Sequence, residues 1–334
     1  MTRHFLPPMR SAAQRARALA FCLPVLVALM GWSLVAQAGP LRDRLQQGAA
    51  ERVATQIDGA SEELDEGRTP ASRRVQLPLG ARLLHDVAYG TDPRQRMDVY
   101  LPAQAQGAPV LLLVHGGGWR HGDKAHGRLV HNKVAHWVAQ GVVLVSVNYR
   151  MLPDALPDVQ ARDVAQALAQ AQQQAAAWGA DARRFVLMGH SAGAHLVALV
   201  AGAPEGLRAV GALSVLGTVV LDSGAMDVVQ TMQERHAPLF DAAFGADPAF
   251  WRAVSPQHQL QAGAAPLQLV CSSQRRTPCQ QARAFARHAQ PLSVRVEVLA
   301  QALSHGEINE HLGLPGPYTA AVDGFLHTLP GWLR

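Results

Sequence analysis

A chain of 334 residues with 30 basic and 25 acidic side chains is long enough for one large α/β core. Its formal charge of +5 is concentrated at the N-terminus, where Arg3, Arg10, Arg15 and Arg17 precede an apolar run from Ala18 to Ala36; without them 26 basic residues face 25 acidic ones. No basic stripe with interleaved aromatic residues appears, which excludes nucleic acid as an expected partner.

The first 38 residues read as a signal peptide: a positive n-region, an apolar stretch, and Ala36-Gln37-Ala38 as the small-x-small cleavage site. The mature chain is expected to begin near Gly39 and to be periplasmic or secreted, with no stable membrane insertion after cleavage. An uncleaved anchor is the alternative, because the apolar run is long enough to span a bilayer. Of three cysteines, Cys22 leaves with this segment, and Cys271 and Cys279 are expected to form a disulfide in an oxidising compartment. Residues 39–80 are polar and read as a helix and linker extension; residues 81–334 read as the catalytic domain.

From there the pattern changes. Val87 to Tyr89 and Met97 to Leu101 predict two strands joined by a turn at Thr91-Asp92-Pro93. Continuous apolar runs at Val110–Val114, Val142–Val147 and Phe185–Met188 are the mark of strands buried on both faces. Helical stretches around Leu129–Ala139 and Ala161–Trp178 separate them, and this alternation predicts a mostly parallel, doubly wound α/β sheet. A further strand is expected over Ala209–Leu216, then a small helical cap over about 222–263, strands at Leu267–Cys271 and Val294–Leu299, and a closing helix near Tyr318–Leu329.

Gly189-His190-Ser191-Ala192-Gly193 is Gly-x-Ser-x-Gly between a short apolar strand and a helix, the setting of a nucleophile elbow. A serine hydroxyl needs a base to take its proton. His305, in a loop beyond the last strand, is the expected base; His311 is its rival and reads as a helix-start residue. His115-Gly116-Gly117-Gly118-Trp119 follows a buried strand, so backbone N–H groups of Gly117 and Gly118, with that of Ala192, are the expected oxyanion donors. Trp119 and His190 are the expected walls of the substrate site. His121, His126, His131 and His136 recur every five residues, a step of about 140° around a helix, so they do not converge on a metal. No metal or organic cofactor is expected.

These motifs, with Asp98-Val99-Tyr100-Leu101-Pro102, Val147-Asn148-Tyr149-Arg150 and Ala253-Val254-Ser255-Pro256, resemble the α/β-hydrolase esterases related to hormone-sensitive lipase. More narrowly they resemble bacterial feruloyl- and acetyl-esterase-like enzymes and kynurenine formamidases, over roughly residues 83–330. The resemblance implies the α/β-hydrolase fold and hydrolysis of a small carboxylic ester, or a formamide, through an acyl-serine at Ser191. It also implies an aspartate after the penultimate strand. That loop reads Ser272-Ser273-Gln274-Arg275-Arg276-Thr277-Pro278 and holds no carboxylate. Either its arginines point to solvent or the acid comes from elsewhere; Asp222 and Asp227 follow the preceding strand, and Asp222, nearer its end, is the expected acid. A ligand-binding protein that has lost catalysis is the alternative of another class.

Overall fold

The computed structural model describes residues 75–333; the expected signal peptide and most of the polar extension lie outside the described residues. Among these, eight strands make one sheet: β1 (Arg82–Ala88), β2 (Arg96–Leu101), β3 (Ala108–Val114), β4 (Val143–Val147), β5 (Ala180–His190), β6 (Gly217–Leu221), β7 (Leu267–Ser272) and β8 (Val296–Gln301). Their spatial order is β1-β2-β4-β3-β5-β6-β7-β8. β2 runs antiparallel to both β1 and β4, and every other pairing is parallel.

Why the central strands read as unbroken apolar runs is visible in where alternate residues go. Val110, Leu112 and Val114 of β3 face one core; Leu111 and Leu113 face the other. The first core is closed by α2 (Pro157–Gln174), α3 (Ala192–Gly202) and α9 (Arg276–Ala289), through Val164, Leu168, Leu196 and Phe285 among others. The second is closed by α1 (Gly127–Trp137) and α11 (Pro317–His327), through Val134, Trp137, Val322 and Phe325. A strand covered by helices on both sides has no polar face to alternate with.

The strand expected over Ala209–Leu216 is a correction: it lies later, at β6 (Gly217–Leu221). The apolar stretch from 209 to 221 holds two segments. The first ends the short helix α4 (Pro204–Ala209), whose carbonyls at Leu207 and Arg208 accept from Ala212 and Gly211, with Gly211 at φ 79°. The β-branched Thr218, Val219 and Val220 fall in the second segment, and they pair with β5. Leu213, within the expected strand, is 45% exposed.

After β6 come four short helices, α5 (Val228–Gln233), α6 (Pro238–Phe244), α7 (Pro248–Ala253) and α8 (Pro256–Gln259). Three of them open with proline in the first turn, where a missing N–H costs nothing. A second correction concerns His305, expected in a loop. It is the first residue of α10 (His305–Glu310), capped by Ser304 and Glu307 in a reciprocal capping box, and His311 closes that helix instead of opening one.

Candidate active site

β5 ends at His190 and α3 begins at Ala192, so a single residue makes the turn. That residue is Ser191, at φ 54° and ψ −117°, a conformation that a side chain adopts only under strain. The surrounding structure holds it: the Ser191 N–H donates to the Leu221 carbonyl at 2.9 Å. Gly193 permits the helix to rest directly on the end of β3, where a Cβ would lie 2.3 Å from the Val114 carbonyl oxygen. Trp119 and Asp222 share the left-handed backbone, at φ 54° and 55°. Three of the five non-glycine residues with positive φ among those described therefore belong to the residues expected at the site.

The acid and the base arrive at the same carboxyl edge of the sheet, after β6 and β8, the strands that flank β7. Asp222 immediately follows β6, its N–H donating to the Val270 carbonyl at 2.8 Å. The α10 capping box delivers His305 to it, with Nδ1 2.7 Å from Asp222 Oδ2 and both side chains fully buried. His190 packs its ring on His305 at 4.4 Å between centroids, and its Nε2 lies 3.0 Å from the His305 carbonyl oxygen. The imidazole thus sits against the residue that precedes Ser191. Asp227 is elsewhere: it caps α5 by accepting from the Gln230 N–H, and it pairs with His258 at 3.3 Å.

Arg275 is the site residue that the sequence reading missed. It does not point to solvent. Its Nη1 lies 2.6 Å from Asp222 Oδ2 and 2.5 Å from His305 Nδ1, with the side chain 18% exposed. The available signal was its position, in the loop where related chains place the acid. Burial acts to raise the Asp222 carboxyl, but the Arg275 charge, the His305 contact and the Ser272 N–H outweigh it and hold that group well below the usual carboxylate range. The Ser272 N–H donates to Asp222 Oδ1 at 2.7 Å, so both carboxylate oxygens are engaged. Cys271 and Cys279 bracket this loop with their sulfurs joined and Cα atoms 5.1 Å apart.

The glycine turn is held from beneath. Gly117 has φ 107°, and a Cβ there would meet the His121 carbonyl oxygen at 2.4 Å, so no other residue fits. Trp119, expected at the substrate pocket, is instead enclosed: it is 2% exposed and packs on Phe244 and Phe240 of α6. Its indole N–H donates to His195 Nδ1 at 3.2 Å, and its carbonyl accepts from Gln160. The Trp119 ring is therefore a packed anchor of the turn. Among the described residues no group of three or more His, Cys, Asp or Glu is placed to hold a metal ion.

A strained serine, an imidazole with a buried carboxylate, and a glycine turn ahead of the elbow are also the features by which the chain can be classed. The BD-FAE family model matches residues 97–288. This chain belongs to the BD-FAE family. The matched BD-FAE segment contains the glycine turn, the elbow, Asp222 and Arg275, while His305 follows it.

Esterase LipC of Mycobacterium tuberculosis is 38% identical over 141 residues, 39% of this chain and 34% of its own. An isoprenylcysteine alpha-carbonyl methylesterase of Arabidopsis thaliana is 35% identical over 113 residues, 34% of this chain and 26% of its own. A kynurenine formamidase of Salmo salar is 31% identical over 121 residues, 36% of this chain and 39% of its own. The matched stretch thus spans between a quarter and two fifths of these relatives' lengths. The fold is that of solved esterases. Esterase B from Lactobacillus rhamnosis superposes with a TM-score of 0.65 at 18% identity, covering 86% of this chain and 96% of that one. Thermogutta terrifontis esterase 2 gives 0.63 at 21% identity, covering 81% and 98%.

Proposed function

We propose that this protein is an exported serine hydrolase that cleaves small carboxylic esters through an acyl-serine. The observation that carries the reading is the buried Asp222–His305 pair seated against the strained Ser191 elbow. In this reading His305 takes the Ser191 hydroxyl proton as Oγ bonds to the ester carbonyl carbon. The carbonyl oxygen gains negative charge and is met by the N–H groups of Gly117, Gly118 and Ala192. His305 then gives its proton to the departing alkoxide, the acyl group stays on Ser191, and water repeats the cycle to release the acid. Asp222 holds the imidazole in the tautomer that leaves the far nitrogen unprotonated, as a base must be.

The names of the relatives favour ester or formamide bonds, and the N-terminal charge and cleavage pattern favours export. A fluorophosphonate probe is expected to label the wild type and to leave Ser191→Ala unlabelled; an unlabelled wild type would sink the reading in favour of a binding protein. The kynurenine formamidase match supports an arylformamidase as the second reading. Faster turnover of N-formylkynurenine than of p-nitrophenyl acetate would put it first.

The glycine turn supplies a further prediction. Gly117→Ala forces a Cβ onto the His121 carbonyl at a φ that alanine resists, so the turn must move. A displaced oxyanion donor is expected to lower kcat by about 10²-fold with KM changed far less. Steady-state kinetics on p-nitrophenyl acetate check it, and a loss confined to KM would show that the turn binds substrate without stabilising the transition state.

A further inference from the structure

We infer that Arg275 is a positioning residue that braces Asp222 and opposes a proton on His305, so that the imidazole remains a free base at lower pH than an acid–base pair alone would allow. The inference rests on the reading of Ser191 and His305 as nucleophile and base.

Three atoms close a triangle: Asp222 Oδ2, His305 Nδ1 and Arg275 Nη1, with sides of 2.7, 2.6 and 2.5 Å. A carboxylate oxygen can accept from two donors, so Oδ2 can take both the imidazole N–H and a guanidinium N–H. Nδ1 cannot donate to Oδ2 and accept from Nη1 at once. In the tautomer that serves catalysis the guanidinium is therefore a second donor to the acid and a like charge against the ring. Put a proton on the far ring nitrogen and the imidazolium faces one negative neighbour at 2.7 Å and one positive neighbour at 2.5 Å. The two charges are opposite in sign and lie at similar distances, so they work against each other on the ring. Asp222 is left to orient the ring more than to stabilise its charge.

The placement of Arg275 is built in. It N-caps α9, and Arg276 follows it, so two cations stand at the positive end of a 14-residue helix, where acidic residues are favoured. A local rule broken beside a buried carboxylate marks a place where something other than helix stability set the residue. The loop that carries it is closed by the Cys271–Cys279 link, and the Arg275 N–H donates back to the Ser272 carbonyl at 3.3 Å.

Other ionisable groups on the elements packed around His305 make backbone contacts. His190 contacts the His305 carbonyl, Glu307 accepts from the Ser304 N–H, Lys133 of α1 donates to the Asn309 carbonyl, and Tyr318 of α11 donates to that of Ile308. Asp222 and Arg275 both bring charge into contact with the ring.

The test is the pH dependence of kcat/KM for p-nitrophenyl acetate in wild type, Arg275→Gln, Arg275→Met and Arg275→Lys. The two neutral variants are expected to move the acid limb to higher pH by about one unit or more, the size of effect of one charge at contact distance. Arg275→Lys, which keeps the charge, is expected to stay within about 0.3 unit of wild type. A structural brace alone would lower the melting temperature and leave the limb in place. Unmoved limbs in folded neutral variants overturn the inference, and so does a lysine variant that moves as far as they do. Should one neutral variant fail to fold, the other decides. Should both fail, the pH midpoint of fluorophosphonate labelling of Arg275→Lys decides, by matching wild type or rising by about a unit. A wild type that is not labelled at Ser191 strikes the reading of the site; a labelled wild type sharing its limb with the neutral variants strikes only the role of Arg275.

Discussion

Asp222→Asn is expected to lower kcat for p-nitrophenyl acetate by about 10³- to 10⁴-fold, while Asp227→Asn stays within about twofold of wild type. The asparagine keeps the shape and loses one acceptor. Its two ends face two donors, the Ser272 N–H on one side and the His305 Nδ1–H on the other. If the amide oxygen faces Ser272, the amide nitrogen meets Nδ1 and forces the proton to the far nitrogen, where the base should be empty. The opposite orientation sets the amide N–H₂ against the Ser272 N–H. Either arrangement also removes the Asp222 charge from beside Arg275, which lies 2.5 Å from the imidazole. Asp227 touches none of this; it caps α5, a role that asparagine fills about as well, so stability and turnover are both expected to stay near wild type. Kinetics and thermal melts of both variants check the pair, and an Asp222→Asn enzyme within tenfold of wild type would remove Asp222 from the mechanism.

Much of this arrangement was legible because it depends on short-range pattern. A buried parallel strand has to be apolar throughout, so β3 and β4 announce themselves, and a strand-to-helix turn around a serine needs glycines at fixed spacing. β5 was only half visible, because Asp181, Arg183 and Arg184 belong to its exposed beginning. The misplaced β6 shows where pattern runs out. Two apolar segments lie end to end, and only the sheet decides which of them pairs. Its position matters, because ending at Leu221 is what puts Asp222 on the sheet edge beside β7. Arg275 lay beyond reach for another reason. Sequence identifies a charge but not its partner, and an arginine that is costly beside an imidazolium becomes tolerable when the buried carboxylate that follows β6 pairs with both.

Unfolding stability is expected to fall as the pH drops from about 6.5 to about 4, by about 3 kcal/mol for each of two histidines. His115 and His195 are both buried, and burial depresses each to about 4. In the unfolded chain each takes a proton near the ordinary imidazole value of about 6.5. Between those values the unfolded state binds more protons than the folded one, so lowering the pH favours unfolding, with the loss complete below about 4. Asp222, also depressed, adds its own loss only below the ordinary carboxylate range. The structure shows why the rings stay neutral. His195 accepts the Trp119 indole N–H at Nδ1, and its Nε2, 2.7 Å from the Val254 carbonyl oxygen, carries the one proton. A second proton would set N–H against N–H. His115 lies flat on Tyr149, 4.4 Å between centroids, with Nδ1 2.8 Å from the Gly116 carbonyl oxygen. Urea titrations at pH 7, 5.5 and 4 check the slope, and His195→Gln, which removes one titrating group, is expected to flatten it by about half. A free energy that does not change across that range would mean that neither ring is held neutral. Both histidines anchor the glycine turn, one at its first residue and one through Trp119, so the same protons act on the turn.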